Sequence, residues 1–188
     1  MELPYPSANE IIDIQKKLSE MRNEYWYHHD LFTRQWWFLL VITLLPWIIW
    51  WFLVDRSRIK QIWLYGALMI ILIIHLDEIG SSLGLWNYPY KLISLFPRLN
   101  PIDVSVLPVF HMLVYQYFTK WKAFLIAQII TALLYSYVAE PFFVKIHIYQ
   151  LLNWKYSYSI TGYVLKAVVV KYIMEIVLSW KSKTKSYT

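Results

Sequence analysis

The chain has 188 residues, 59% hydrophobic and 19% aromatic, with 11 Trp, 16 Tyr and only 4 Gly. A soluble domain is roughly 45–50% apolar, so one soluble core does not hide this much apolar surface, whereas a bilayer takes it up. The formal charge is +6 and cysteine is absent, which excludes a disulfide framework, a thiol nucleophile and a Cys-based metal site. The basic residues sit in short clusters beside apolar runs, where they read as orientation signals and not as a nucleic-acid footprint.

Residues 1–34 are expected to form a loose tail and an amphipathic interfacial helix. The opening MELPYPSANE lacks a basic n-region and an apolar h-region, so it does not read as a cleavable signal peptide. Ser7 or Asn9 caps a helix over 9–29, in which Ile11, Ile14, Leu18 and Met21 recur at helical spacing. Such a stripe lies on a membrane surface or against the bundle. His28-His29-Asp30 marks the helix end, because adjacent histidines on a helix diverge by about 100° and do not share a metal.

Residues 35–180 are expected to form an all-α integral membrane bundle of about five transmembrane helices. The first span covers 35–54, is ringed by Trp36, Trp37, Trp47, Trp50 and Trp51, and should bend at Pro46. The second covers 62–86. The third opens with Asn100 as N-cap, Pro101 in the first helical position and Asp103 where a capping box places its acid, and ends near Phe118. Lys120-Trp121-Lys122 turns the chain into the fourth, which ends at Glu140-Pro141. Residues 142–156 are too charged to span easily and are assigned to the interface. The fifth covers 157–180, and 181–188 form a basic cytoplasmic tail. The basic clusters at 56–60, 120–122 and 181–185 put the C-terminus in the cytoplasm and the N-terminus outside, in a cell membrane.

A helix rises 1.5 Å per residue, so Asp77 lies roughly 22 Å from Ile62 on a helix that must reach Trp86 to cross a core of about 30 Å. His75, Asp77 and Glu78 are therefore expected inside the membrane, where ionisable groups face the bundle or a wet cavity. Gly80 and Gly84 form a small-xxx-small pair on the face of Asp77, expected to admit a neighbouring helix. His111 follows Pro108 at similar depth, with Tyr115 one turn later. Gln128, Thr131 and Tyr135 share a face of the fourth span, Glu140 lies near its outer end, and Lys166 lies on the fifth at the level of Asp77, with which it should pair. The ligand-binding candidates are His75, Asp77, Glu78, Trp86, His111, Tyr115, Glu140 and Lys166, and the acid–base candidates are Asp77, Glu78 and His111. Each has a structural counterpart. Asp103 reads as a cap, Glu140 as a helix end, His111 as a hydrogen-bonded bundle residue, Asp77–Glu78 as an ion-pairing doublet, and Lys171–Glu175 as a self-neutralising i,i+4 pair.

The series Asp77-Glu78-Ile79-Gly80, Gly84, Trp86-Asn87-Tyr88-Pro89, Leu107-Pro108, Tyr115-Gln116-Tyr117, Glu140-Pro141 and Asn153-Trp154 resembles a family of small multi-pass membrane proteins of unassigned function, seen mainly in spore-forming Gram-positive bacteria. The resemblance implies membrane residence and no particular activity. Asp77, Gly84, Trp86 and Tyr88 also resemble part of the membrane-embedded lycopene cyclase domain. That domain continues with a helix opening on Pro-x-Glu-Glu, whereas this chain has Pro108-Val109-Phe110-His111 and lacks the acid pair. That likeness therefore implies a helix-packing pattern and an apolar ligand class.

Three function classes stand at this point. The first is a membrane protein binding a lipid or small apolar ligand in a pocket with outer-half polar residues. The second is a membrane enzyme acting on a lipid or isoprenoid by acid–base chemistry. The third is a small ion- or proton-coupled transporter, for which no inverted repeat speaks. No phosphate-cradling loop, GxSxG or HExxH is present.

Overall fold

The structure, a computed structural model, describes residues 5–184, with side chains as far as Ser179. The expected tail falls in part outside the described residues, as do residues 1–4. The first helix, α1 (Ala8–Tyr25), is capped by Ser7 and not by Asn9. The Ser7 hydroxyl accepts from the Glu10 amide, and the Glu10 carboxylate accepts from the Ser7 amide at 2.7 Å, closing a reciprocal capping box. A π-turn, Trp26–Asp30, follows. No residue of α1 is buried, and Ile11, Ile14, Leu18 and Met21 stand exposed, so the apolar stripe does not pack on the bundle. The helix is tied near its end, where Trp26 Nε1 donates to the Leu92 carbonyl at 3.2 Å and Asp30 accepts from the Lys91 amide at 3.0 Å.

Helix α2 (Arg34–Leu53) runs through Pro46. Helix α3 (Ile59–Ser82) follows and stops short of Trp86, contrary to the expected span. The cause is Gly84, which adopts φ 66°. The Leu85 amide bonds back to the Gly80 carbonyl at 3.0 Å and the Gly84 amide to the Ser81 carbonyl at 3.1 Å, a Schellman ending. The chain then reverses into β1 (Trp86–Asn87), paired antiparallel with β2 (Gln150–Leu151), with Trp86 opposite Leu151. The two glycines therefore do not admit a helix. A Cβ at Gly80 would strike the Trp86 indole, and one at Gly84 would meet nothing. The glycine that lets helices approach is Gly66, where a Cβ would strike Met112.

A π-turn, Ile102–Val106, leads into α4 (Leu107–Tyr117). Asn100 does not cap this helix. Its Oδ1 accepts from Arg98 Nε at 3.1 Å, and the Leu99 carbonyl receives the Ile102 and Asp103 amides at 3.0 and 3.2 Å. Helix α5 (Trp121–Leu134) passes through another π-turn, Tyr135–Ala139, into α6 (Glu140–Lys145). The fourth helical run thus does not end at Glu140-Pro141. Pro141 sits in the first turn of α6, a position where its missing amide hydrogen is tolerated. Helix α7 (Tyr156–Thr184) closes the described chain.

The fold is all-α, with the short β1–β2 ribbon as its one described sheet. Helix α3 packs on α4 and α7, α5 packs on α7, and α2 packs on the π-turn that precedes α4. Tyr65, Met69, Met112, Phe124 and Met174 fill the centre with essentially no exposure. Leu39, Tyr88, Leu99 and Ile148 form a second cluster at the end where α1, the 87–100 loop and the ribbon gather. Among the described residues, Arg34–Leu53, Arg56–Ser82 and Trp121–Lys145 are long and apolar enough to cross a membrane, by length and composition.

Candidate functional site

A cavity of about 340 Å³ opens between the end of α3, the π-turn before α4, the α5–α6 junction and the start of α7. Ile73, Leu107, Phe143 and the rings of Trp86, Tyr135 and Tyr149 give it largely apolar walls. Asp77, Asp103, Glu140 and Lys166 also face it.

The Schellman reversal builds the first polar corner. By ending α3, it swings Trp86 and Tyr88 back over the helix, where the Trp86 Nε1 and the Tyr88 hydroxyl both donate to Asp77 Oδ1, at 2.8 and 2.6 Å. The carboxyl of Asp103 adjoins that of Asp77. Oδ2 of each is buried and accepts no bond from an N–H or hydroxyl donor of good geometry among the described residues, which leaves the two carboxyls to each other. Buried polar atoms are nearly always partnered, so a pair of carboxyl oxygens left to each other in one cavity is a feature that asks for a ligand or a shared proton.

The second corner belongs to Glu140. Ser159 Oγ donates to its Oε2 at 3.1 Å and the Tyr163 hydroxyl to its Oε1 at 2.9 Å, while Trp154 Nε1 holds the Ser159 hydroxyl at 2.9 Å. Both new corners rest on π-turns. Asp103 lies within one, and Glu140 follows directly on the other. A π-turn adds a residue to a helical turn and shifts the side chains beyond it, a device common at functional sites.

Lys166 enters from α7. Its Nζ lies 4.5 Å from the centre of the Tyr163 ring. Among the described residues no carboxylate comes within ion-pair distance of it, although Asp103, Asp77 and Glu140 all act on its charge through space. The expected Asp77–Lys166 pair is thus two groups facing one cavity and not a direct contact.

Of the ligand-binding candidates drawn from sequence, Asp77, Trp86, Glu140 and Lys166 converge here. The others do not. His75 is exposed, its Nδ1 bonded to the Ile71 carbonyl at 2.7 Å. Glu78 accepts from Arg98 at 3.3 Å. His111 is buried against Gln128, Nδ1 to Oε1 at 2.8 Å, and Tyr115 accepts from Gln61 at 2.6 Å while stacking on Tyr65. Lys171 and Glu175 do not neutralise each other directly. Lys171 donates to the Thr119 carbonyl at 2.6 Å, and Glu175 accepts from Trp121 at 2.9 Å. Asp103, Tyr88, Ser159 and Tyr163 are not among the candidates drawn from sequence, although Tyr88 stands in the motif that carries the resemblances. An acid at the start of an apolar helix is the signal for Asp103, and a capping acid gives the same signal. Among the described residues no group of three or more metal-ligating side chains gathers. No family model, curated protein or solved structure matches the chain.

Proposed function

We propose that this is an integral membrane protein of about five spans whose cavity holds a lipid or another small apolar ligand. The span reading adds the 102–117 run and α7 to the three long apolar helices. In its support, Lys166 of α7 faces the cavity and the buried Lys171 donates to the Thr119 carbonyl, while the exposed Glu175 accepts from the Trp121 indole. The outer face of α7 shows Leu165, Val169, Tyr172 and Ile173, all exposed, and α2 likewise shows Leu44, Ile48 and Phe52. Water offers no counterpart to that surface, and lipid does. Asp55, Arg56, Arg58 and Lys122 gather at the end opposite the cavity, which is the cytoplasmic end in this reading. The small multi-pass family and the N-terminus-out orientation belong to the same proposal.

The observation that carries the ligand reading is the cavity itself. It falls in the size range of small-molecule sites, with apolar walls and few convergent polar groups. Gly162 lines it, and a Cβ there would meet nothing within 4 Å. Gly162→Leu should therefore fill the cavity without disturbing the bundle. Mass spectrometry of the protein purified in mild detergent should find an apolar molecule bound to wild type and lost from Gly162→Leu at unchanged melting temperature. An identical set of bound molecules in both would overturn the reading. Single cysteines at positions 7 and 100, but not 57, should react with an impermeant thiol reagent on intact cells, and the reverse pattern would overturn the orientation.

The adjoining carboxyls of Asp77 and Asp103 favour a second reading, a membrane enzyme that delivers a proton to a lipid or isoprenoid substrate. Turnover of bound ligand, lost in Asp77→Asn, separates it from simple binding.

A further inference from the structure

We propose that Lys166 is a nucleophilic amine that captures an apolar aldehyde or ketone in this cavity as an imine. The inference rests on the cavity taking an apolar ligand, and it adds a bond and a chemical class to that reading.

Two lysines of α7, Lys166 and Lys171, make the case. Lys171 is 2% exposed and fully engaged, its Nζ 2.6 Å from the Thr119 carbonyl and 4.3 Å from the Phe124 ring. Lys166 shares the helix and faces an apolar cavity, yet its Nζ makes no hydrogen bond and no ion pair among the described residues. An uncommitted lysine amine in a desolvated pocket is the usual setting for imine chemistry.

The rest of the cavity selects the partner. An anionic head group would face the carboxyls of Asp77, Asp103 and Glu140, and a cationic one would face Lys166. A carbonyl is neutral, so it enters an apolar site at little desolvation cost. Its oxygen accepts a proton from the Asp77–Asp103 pair, whose two Oδ2 atoms are otherwise unpartnered, and its carbon is the electrophile that a free amine requires.

The step balances within the cavity. The neutral Lys166 nitrogen attacks the carbonyl carbon, and the C=O π pair moves to oxygen, which takes a proton from the carboxyl pair. The nitrogen returns one proton to that pair. The hydroxyl of the resulting carbinolamine then leaves as water, carrying a proton from the same pair, and the nitrogen lone pair forms the C=N bond. The product is a protonated imine beside an ionised carboxyl, so the cation of a resting Lys166 is replaced by the cation of the imine. No oxidant or reductant takes part.

The test uses the full chain in mild detergent with limiting hexadecanal and sodium cyanoborohydride, which reduces an imine to a stable secondary amine. Peptide mapping should place one hexadecyl group on Lys166, trapped about tenfold faster than on the exposed Lys16 or Lys17, as expected for a bound and oriented reactant. Excess hexadecanol, which fills the cavity but forms no imine, should protect Lys166 and leave Lys16 reactive. Lys166→Arg should lose the fast phase, and Asp77→Asn should slow it. Trapping spread evenly over the exposed lysines of wild type, with Lys166 unmodified, would overturn the proposal whether or not the variants fold. If hexadecanol still displaces the native bound molecule in that case, the apolar-ligand reading survives and only the covalent step falls. If it displaces nothing, both fall.

Discussion

The two ends of the bundle treat the same kinds of side chain in opposite ways. At the end away from the cavity, the charged groups and amides close on their neighbours, and the atoms left unpartnered among the described residues are neutral, the Trp50 indole nitrogen and the Tyr65 hydroxyl. Gln116 accepts from the Asp55 amide at 3.0 Å and donates to the Leu53 carbonyl at 2.9 Å, Lys171 donates to Thr119, and Trp121 donates to Glu175. At the cavity end, Lys166 has an aromatic face but no carboxylate or carbonyl, and Asp77 and Asp103 set one acid against another. A charge with its partners in place is architecture, because it ties helices together. A charge held among apolar walls without a partner is kept at a cost and needs a reason outside the bundle. Burial alone does not tell these apart, since Lys171 and Asp103 are both almost fully buried.

The sharpest break should come from Gly80→Leu. The larger side chain takes the space of the Trp86 indole and removes a donor from Asp77, so a loss of about 3 kcal/mol or more is expected, read as a collapse of the melting temperature in detergent. Leu83→Ala, at an exposed position, should leave it near wild type. Next in size is the lysine contrast. Lys171→Met strands the Thr119 carbonyl and should cost about 2 kcal/mol, whereas Lys166→Met removes only a contact with the face of the Tyr163 ring and should stay within about 1 kcal/mol. Equal losses would erase the distinction between the two ends. A double-mutant cycle of Asp77→Asn with Lys166→Met should show coupling below about 1 kcal/mol, because the groups share a cavity and not a contact. Gly84→Ala should cost about 1 kcal/mol by thermal unfolding despite open space around it, since the strain is in the positive φ and not in the packing.

The smallest effect concerns pH. The Ser57 hydroxyl, donating at 2.7 Å, holds the Asp55 carboxyl below its ordinary range. A lowered folded-state value means that this cap contributes at neutral pH and is lost as pH falls through the carboxylate range. Asp55→Asn should flatten the acid limb of the stability profile slightly, and an unchanged limb would assign that slope to other acids.

Much of the helix order was legible because long apolar runs admit few alternatives. The bounds of α2 came within a residue or two, and Ser7 was one of the two caps expected for α1. The convergence of Asp77, Glu140 and Lys166 was readable from depth, since a helix advances a fixed distance per residue. The failures have common physical roots. Gly80 and Gly84 carry the spacing of a helix-packing motif, yet one makes room for a returning indole and the other reverses the chain, and the sequence pattern for all three roles is the same. Asp103 after Pro101 looks like a capping acid, and only tertiary packing sets it against Asp77. The π-turns that aim Asp103 and Glu140 leave no mark in hydropathy. His111 and Tyr115 lie at a suitable depth but on faces turned to Gln128 and Tyr65, a matter of helix rotation that depth does not encode.

The reversal after α3 also bears on biogenesis. Trp86 and Tyr88 lie only nine and eleven residues downstream of Asp77. An acid entering hydrocarbon alone is penalised by about 2.5–3.5 kcal/mol on insertion scales, but this one carries its donors on its own helix end. In the proposed membrane setting, the α2–α3 hairpin would leave the translocation machinery with Asp77 Oδ1 already bonded, before α4 is synthesised. Glu140 has no such provision, because its donors Ser159 and Tyr163 lie nineteen and twenty-three residues on, in α7. One wall of the cavity is therefore finished early in synthesis, and the other waits for the last helix to arrive.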